Sequence, residues 1–275
     1  MNKIFNKDIE VSFEINPFEI KSIKKSNVEI IYQQDSNWAK SWPILFPVCG
    51  VVNGNLEHNG KELGIGRHGF FKDIKNWNVV DKTQNKIKLN YISEEGFYKI
   101  YPFRFELNIT LLIENDDFTI DIEVINLENE SMYFSLGHHP GFIFNEKSKI
   151  TLREKQLFTD SFSAGLVESL DKNIEIESFG FDDLDFSESK SYLSDNFLGE
   201  SIILNNGNIE FRVSTNNFKN LVFWRESNEC SFICIENWNG IPDMLDRKSK
   251  EIKDKPEIIS LNAKEKRSYK LKIEF

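Results

Sequence analysis

Cysteine and histidine are scarce in this chain: three and four residues of 275. An odd set of cysteines, Cys49, Cys230 and Cys234, argues against a disulfide framework and reads as free, buried thiols in a reducing cytosol. Cys230 and Cys234 form a CxxxC, but no second pair and no histidine at zinc-like spacing goes with it. Long apolar runs are missing too. The N-terminal MNKIFNKDIEVSFEI has no continuous hydrophobic segment, and nothing later approaches the length of a membrane span. Positive charge is short: the net charge is −10 and the pI near 5.1, a field that repels nucleic acid and anionic membranes. The nucleotide and hydrolase signatures GxGxxG, GxxxxGK(S/T) and GxSxG are absent. There is no internal repeat, no Pro/Ser/Gly-rich linker and no helical stripe over three turns. The expectation is a single domain over 1–275, cytoplasmic, with no metal or cofactor, taking a small neutral or weakly charged ligand.

What the chain does hold is alternation. In FRFELNITLLI the residues Phe103, Phe105, Leu107, Ile109, Leu111 and Ile113 are apolar, with Arg104, Glu106, Asn108 and Thr110 between them. A period of two puts one set of side chains on one sheet face. FTIDIEV repeats the pattern through Phe118, Ile120, Ile122 and Val124. The turn-like ENDD (114–117) between the runs predicts an antiparallel hairpin. KIKLNYI, NIEFRV, SFICIE and YKLKIEF read as further strands, and turn signals recur at 52–55, 58–61 and 205–208. The fold class expected is all-β, a large antiparallel β-sandwich. Two stretches do not alternate. The acidic part of 160–200 reads as a solvated surface insertion, and DRKSKEIKDKPE (246–257) as an exposed loop.

Two of the four histidines stand together in FSLGHHPGF (134–142). On a strand, His138 and His139 face opposite sides and cannot share a metal. His58 and His68 have no HxH or HxxxH partner. Either both residues of the pair are packing, or one faces a pocket as a proton donor. In SFICIENWNGIPD, alternation aligns Phe232, Cys234 and Glu236 on one face. A carboxylate in such a row is costly unless it is paired or at the strand's end. A strand emerging into solvent at Glu236 and an aromatic-walled rim formed by Trp238 and the turn 239–242 are equally consistent. GRHGFFKD (66–73) packs Arg67, His68 and Lys72 between glycines and phenylalanines. NWAKSWPILFPVCG (37–50) offers Trp38 and Trp42, for a core or for the aromatic face of a sugar site.

In this order, the four segments resemble the aldose 1-epimerase (galactose mutarotase-like) superfamily, nearest to its LacX-type branch. WAKSWPILFPVCG is similar to the family's Trp-led LFP segment and GRHGFFKD to its HGFARD element. FSLGHHPGF is similar to GGHPAF and IENWNGIPD to EPWxGIPD. The segments span 37–243, and KPEIISLNAKEKRSYKLKIEF is similar to the closing strand. The resemblance implies a large β-sandwich holding a sugar on one sheet's concave face and interconverting α and β anomers of an aldose without metal or cofactor. It implies His139 as general acid on the ring oxygen, Glu236 as general base on the anomeric hydroxyl, and His68 as a substrate-binding residue. Arg67, Lys72, Trp38 and Trp238 are further candidates for sugar contacts. The expected partner is a small-molecule sugar, bound by a monomer or homodimer.

Three positions depart from the family pattern. Val51 stands where an arginine is frequent, Phe71-Lys72 replaces Ala-Arg, and Asn237 replaces the proline after the glutamate. Lysine offers a point charge in place of a bidentate fork. A hexose such as galactose or glucose is the expected substrate. The alternatives are a hexose-6-phosphate 1-epimerase, which needs a cluster of cations, and a carbohydrate-binding or sensory protein with weak or no catalysis.

Overall fold

The alternating runs lie at the centre of a nine-stranded sheet in the computed structural model, which describes residues 1–275 except 198, 200 and 215–217. Phe105–Glu114 and Asp117–Asn126 form the expected hairpin, turning through Asn115 in the left-handed region at φ 54°. Their apolar positions face each other as Leu107–Val124, Ile109–Ile122, Leu111–Ile120 and Ile113–Phe118. All eight are at most 1% exposed. Each such burial contributes about 1.5–3 kcal/mol, so this hairpin is a main support of the fold. Lys86–Ile92 and Asn78–Lys82 continue the sheet on one side. On the other lie Lys266–Glu274, Glu210–Ser214, Ser201–Asn205, Lys149–Phe158 and Ile174–Gly180.

A six-stranded sheet packs against it. Its order is Ser191–Ser194, Asn220–Trp224, Phe232–Asn239, Leu136–His138, Ile44–Leu45, with Gly141–Ile143 also paired to Phe232–Asn239. Rings from the two sheets meet between them: Phe223 stacks on Phe158 and meets Phe179 edge-on, and Phe142 packs tilted against Phe211. Every strand pairing is antiparallel, and the only α-helical segment among the described residues is Glu95–Tyr98. The architecture is the expected all-β one, with large antiparallel sheets. Among the described residues, no helix is long and apolar enough to cross a membrane.

Phe232–Asn239 is buried on both faces. Ile233 and Ile235 join the core shared with the large sheet. Phe232, Cys234 and Trp238 join a second, smaller cluster with Val222, Trp224, Cys49 and Val167. That second cluster forms the floor of the candidate site.

Two expectations need correction here. The segment 246–257 is not simply an exposed loop. Ile252 and Lys255 are buried, and Lys255 Nζ donates to Asp243 Oδ1 at 2.8 Å and to the Ile241 carbonyl at 2.7 Å. The Arg247 guanidinium takes the other Asp243 oxygen, which also accepts from the Asn53 N–H at 2.9 Å. Alternating charges read as solvated because their common partner lies earlier in the chain. The stretch 160–200 is likewise not only surface. It supplies the strand Ser191–Ser194, and residues 160–165 and 187–191 reach over the small sheet.

Candidate active site

Pro140 frees His139 from the sheet. Proline has no N–H to give a ladder, and pairing along Phe232–Asn239 breaks between His138–Asn237 and Gly141–Cys234. In the gap the His139 N–H finds the Pro43 carbonyl at 3.0 Å. The two histidines then face opposite ways, as strand alternation requires. His138 is fully buried in the shared core, where its Nδ1 accepts from the Trp42 indole N–H at 3.1 Å. His139, only 7% exposed, faces the second cluster. Trp38 stacks on its ring at 5.3 Å and Trp224 meets it edge-on at 5.5 Å.

Glu236 does not emerge into solvent. The strand runs on to Asn239, and Glu236 is 1% exposed. Its Oε2 lies 3.2 Å from His139 Nε2, without the alignment of a hydrogen bond, and finds no other partner. Gly137 makes room for the wall beside it. A Cβ at this position would stand 2.5 Å from Trp238 Cδ1 and 2.9 Å from Cys49 Sγ. Asn237, the replaced proline, is buried on the other face beside His138, away from the cleft.

His68 comes from a different part of the chain on a backbone in the left-handed region, φ 62°, which costs a non-glycine residue energy and marks a constrained site. Its N–H donates to the Gly50 carbonyl at 3.0 Å, and its Nδ1 accepts from the Gly50 N–H at 3.2 Å. This pairing fixes the neutral tautomer with the proton on Nε2, a donor for the cleft. The following residue must be glycine, since a Cβ on Gly69 would stand 2.1 Å from the Phe46 carbonyl oxygen. The His68 ring lies 5.5 Å from His139 and 6.0 Å from Trp238.

These groups line a cavity of about 630 Å³ together with Arg67, Val51, Val222 and Trp224. Of the seven residues singled out in the sequence, five meet there: His139, Glu236, His68, Arg67 and Trp238. Trp38 and Lys72 line an adjoining lobe of about 780 Å³ that shares Arg67, His68 and His139. Trp38 stacks on the His139 ring, and Lys72 is exposed on the turn Phe71–Asp73 that borders this lobe. Sequence reading missed Trp224 and the 187–191 segment. Trp224 ends a continuous apolar run, LVFW, the pattern of a strand buried on both faces, which was a detectable signal; the segment has none.

Burial dominates the electrostatics. Desolvation pushes the Glu236 carboxyl well above the usual range, against the pull of the Arg67 charge and the Trp238 side chain. The same effect holds His139 well below an ordinary imidazole, with the charges of His68 and Arg67 adding to it. His68 is pushed down to about 3, by desolvation first and then by Arg67 and Lys72. Opposed shifts on two touching groups let one proton be shared between them. Among the described residues, no carboxylate pairs with Arg67. Lys190 at the opposite rim is engaged by Asp185 at 3.1 Å and Asp160 at 3.8 Å.

Comparison with known proteins bears on this geometry. Residues 19–274 match the family described as aldose 1-epimerase. The chain is 26% identical to the chromosomal protein LacX of Lactococcus lactis subsp. lactis, over 92% of each chain, and equally to the plasmid form. Among solved structures it is similar to a galactose mutarotase related enzyme from Lactobacillus acidophilus, with TM-score 0.87 at 22% identity over 99% and 96% of the two chains. A galactose mutarotase-like protein from Lactobacillus casei gives 0.87 at 21% over 100% and 99%.

Proposed function

This chain belongs to the aldose 1-epimerase family, and on that premise we propose that it interconverts the α and β anomers of a free hexose such as galactose or glucose. The observation that carries the reading is the 3.2 Å approach of His139 Nε2 to Glu236 Oε2 at the floor of one cleft. Anomer exchange moves two protons at oxygens bonded to a single carbon, the ring oxygen and the anomeric hydroxyl. A donor and an acceptor that stand side by side can therefore reach both oxygens.

In the proposed reaction the pair holds one exchangeable proton. The shared proton, which burial holds on Glu236, first passes to His139; the Glu236 carboxylate then takes the proton of the anomeric hydroxyl while His139 delivers its own to the ring oxygen. The C1–O5 bond breaks and an aldehyde results. Rotation about C1–C2 presents the other carbonyl face, and reclosure returns both protons, so the proton count of the pair is unchanged over a cycle. Each transfer contributes about 10²–10⁴-fold. The His68 Nε2–H and the unpaired Arg67 guanidinium are suited to sugar hydroxyls, and Trp238 offers an apolar wall. Arg67 shares its lobe with Val51, the position that lacks the frequent arginine, and supplies a guanidinium there. The paired state of Lys190 and the absence of Lys72 from the lining of the His139–Glu236 cavity favour a neutral hexose over a phosphorylated one.

Polarimetry on freshly dissolved α-D-galactose and α-D-glucose, wild type beside Glu236→Gln, tests the proposal. Wild type should hasten the approach to the same final rotation, and the variant should not, while its melting profile stays close to wild type. Acceleration of hexose 6-phosphates alone would assign the substrate to that class. Sugar binding without acceleration would assign a binding protein.

A further inference from the structure

The thiol of Cys234 lies directly beside the acid–base pair. Its Sγ, His139 Nε2 or Nδ1 and a Glu236 oxygen all fall within 4.8 Å of one another, the one such group of three metal-ligating side chains among the described residues. Linear spacing hides it, because the histidine comes from residue 139 and the other two from alternate positions of a single strand. All three side chains are buried, and the Glu236 Oε2 that faces the group has no hydrogen-bond partner.

We propose that His139, Cys234 and Glu236 form a binding site for a thiophilic divalent cation, Zn²⁺ being the best fit. Two ligands about 2.0–2.1 Å from a tetrahedral zinc stand about 3.3 Å apart, and Nε2 and Oε2 stand 3.2 Å apart. Imidazole, thiolate and carboxylate are the three ligand classes that zinc takes, and the thiolate selects against calcium and magnesium. A water molecule can supply the fourth ligand of a tetrahedral site. Ligation needs the thiolate, so the thiol proton leaves to solvent as the metal enters. The two anionic ligands, thiolate and carboxylate, balance the charge of the divalent metal. An occupied site engages both atoms of the proposed proton transfer and so withholds them from sugar. That consequence rests on the proposed function; the site itself rests only on the three donors.

The test is titration of the full-length protein with Co²⁺ under anaerobic conditions, read by absorption. A thiolate-to-cobalt charge-transfer band in the near ultraviolet should appear with four-coordinate d–d bands, saturate at one equivalent and vanish on adding Zn²⁺. Cys234→Ser should lack the charge-transfer band, and Glu236→Gln should bind Co²⁺ at least about tenfold more weakly. No band from wild type with excess Co²⁺, or an unchanged band in Cys234→Ser, overturns the site. Should Cys234→Ser fail to melt cooperatively, Cys234→Ala carries the same expectation. Neither readout depends on turnover, so the metal site and the proposed function stand or fall separately.

Discussion

Trp42 donates its indole N–H to His138 at 3.1 Å, on the sheet face opposite His139. Adjacent histidines thus have separable duties, one in the core and one in the cleft. His138→Ala should leave the Trp42 N–H unpaired and a void beside Phe218, which lies 5.2 Å from the imidazole. A loss of about 2–4 kcal/mol is expected in urea unfolding, with the mutarotation rate of the folded protein nearly unchanged. His139→Ala should instead abolish rate enhancement in a protein that still folds. Equal losses of activity in both variants would contradict the division.

The same burial makes stability pH-dependent. His138 is held down to about 3 by desolvation, whereas in the unfolded chain it titrates near about 6.5. As pH falls below the unfolded value, the unfolded chain takes up a proton that the folded one refuses. Its contribution is therefore complete above that value and shrinks down to about pH 3. At pH 5 the deficit is about 2 kcal/mol. Comparing the pH slope of wild type with that of His138→Gln, in EDTA, isolates this residue from other titrating groups. Parallel slopes would show that His138 is accessible to protons in the native state.

The rim of the cleft rests on a buried charge triad. Asp243 and Lys255 are fully buried, and Arg247 nearly so. Through Asp243 they tie the turn after Trp238 to the loop at Asn53. Asp243→Leu alone strands an ammonium in the interior and should cost about 3–5 kcal/mol. Adding Lys255→Met should restore much of that loss, since the cation goes with its partner. A double-mutant cycle from chemical denaturation measures the coupling. Additive losses would mean that the lysine escapes to water when unpaired.

How much of this was readable in the chain follows from the range of the interactions. The central hairpin was legible because alternation from Phe103 to Val124 is local and its turn lies between the two runs. The opposite facing of His138 and His139 was legible for the same reason. Periodicity alone could not decide whether Glu236 reaches solvent. The outcome depends on a second buried face built by Val222, Trp224, Cys49 and Val167, which arrive from distant segments. Lys72 and Trp38 were grouped with the sugar contacts through the motifs that carry them. The turn at Phe71–Asp73 and the stacking of Trp38 on His139 place both in the neighbouring lobe. Lys255 read as solvated because its counter-charge is twelve residues away.

Gly137 offers a test of how tightly the cleft wall is set. It pairs with Trp238 across the sheet, and any side chain there meets the indole at 2.5 Å and the Cys49 sulfur at 2.9 Å. Both neighbours are buried, so neither has an easy retreat, and overpacking of this kind costs about 1–3 kcal/mol. Gly137→Ala should therefore push the Trp238 ring into the space proposed for the sugar. His139 and Glu236 are carried by other backbone positions and should keep their mutual placement. The expected kinetic result is a KM raised severalfold with kcat reduced less, the pattern of lost binding without lost chemistry. A fall in kcat with KM unchanged would mean that Trp238 acts on the proton-transfer pair and not on the sugar.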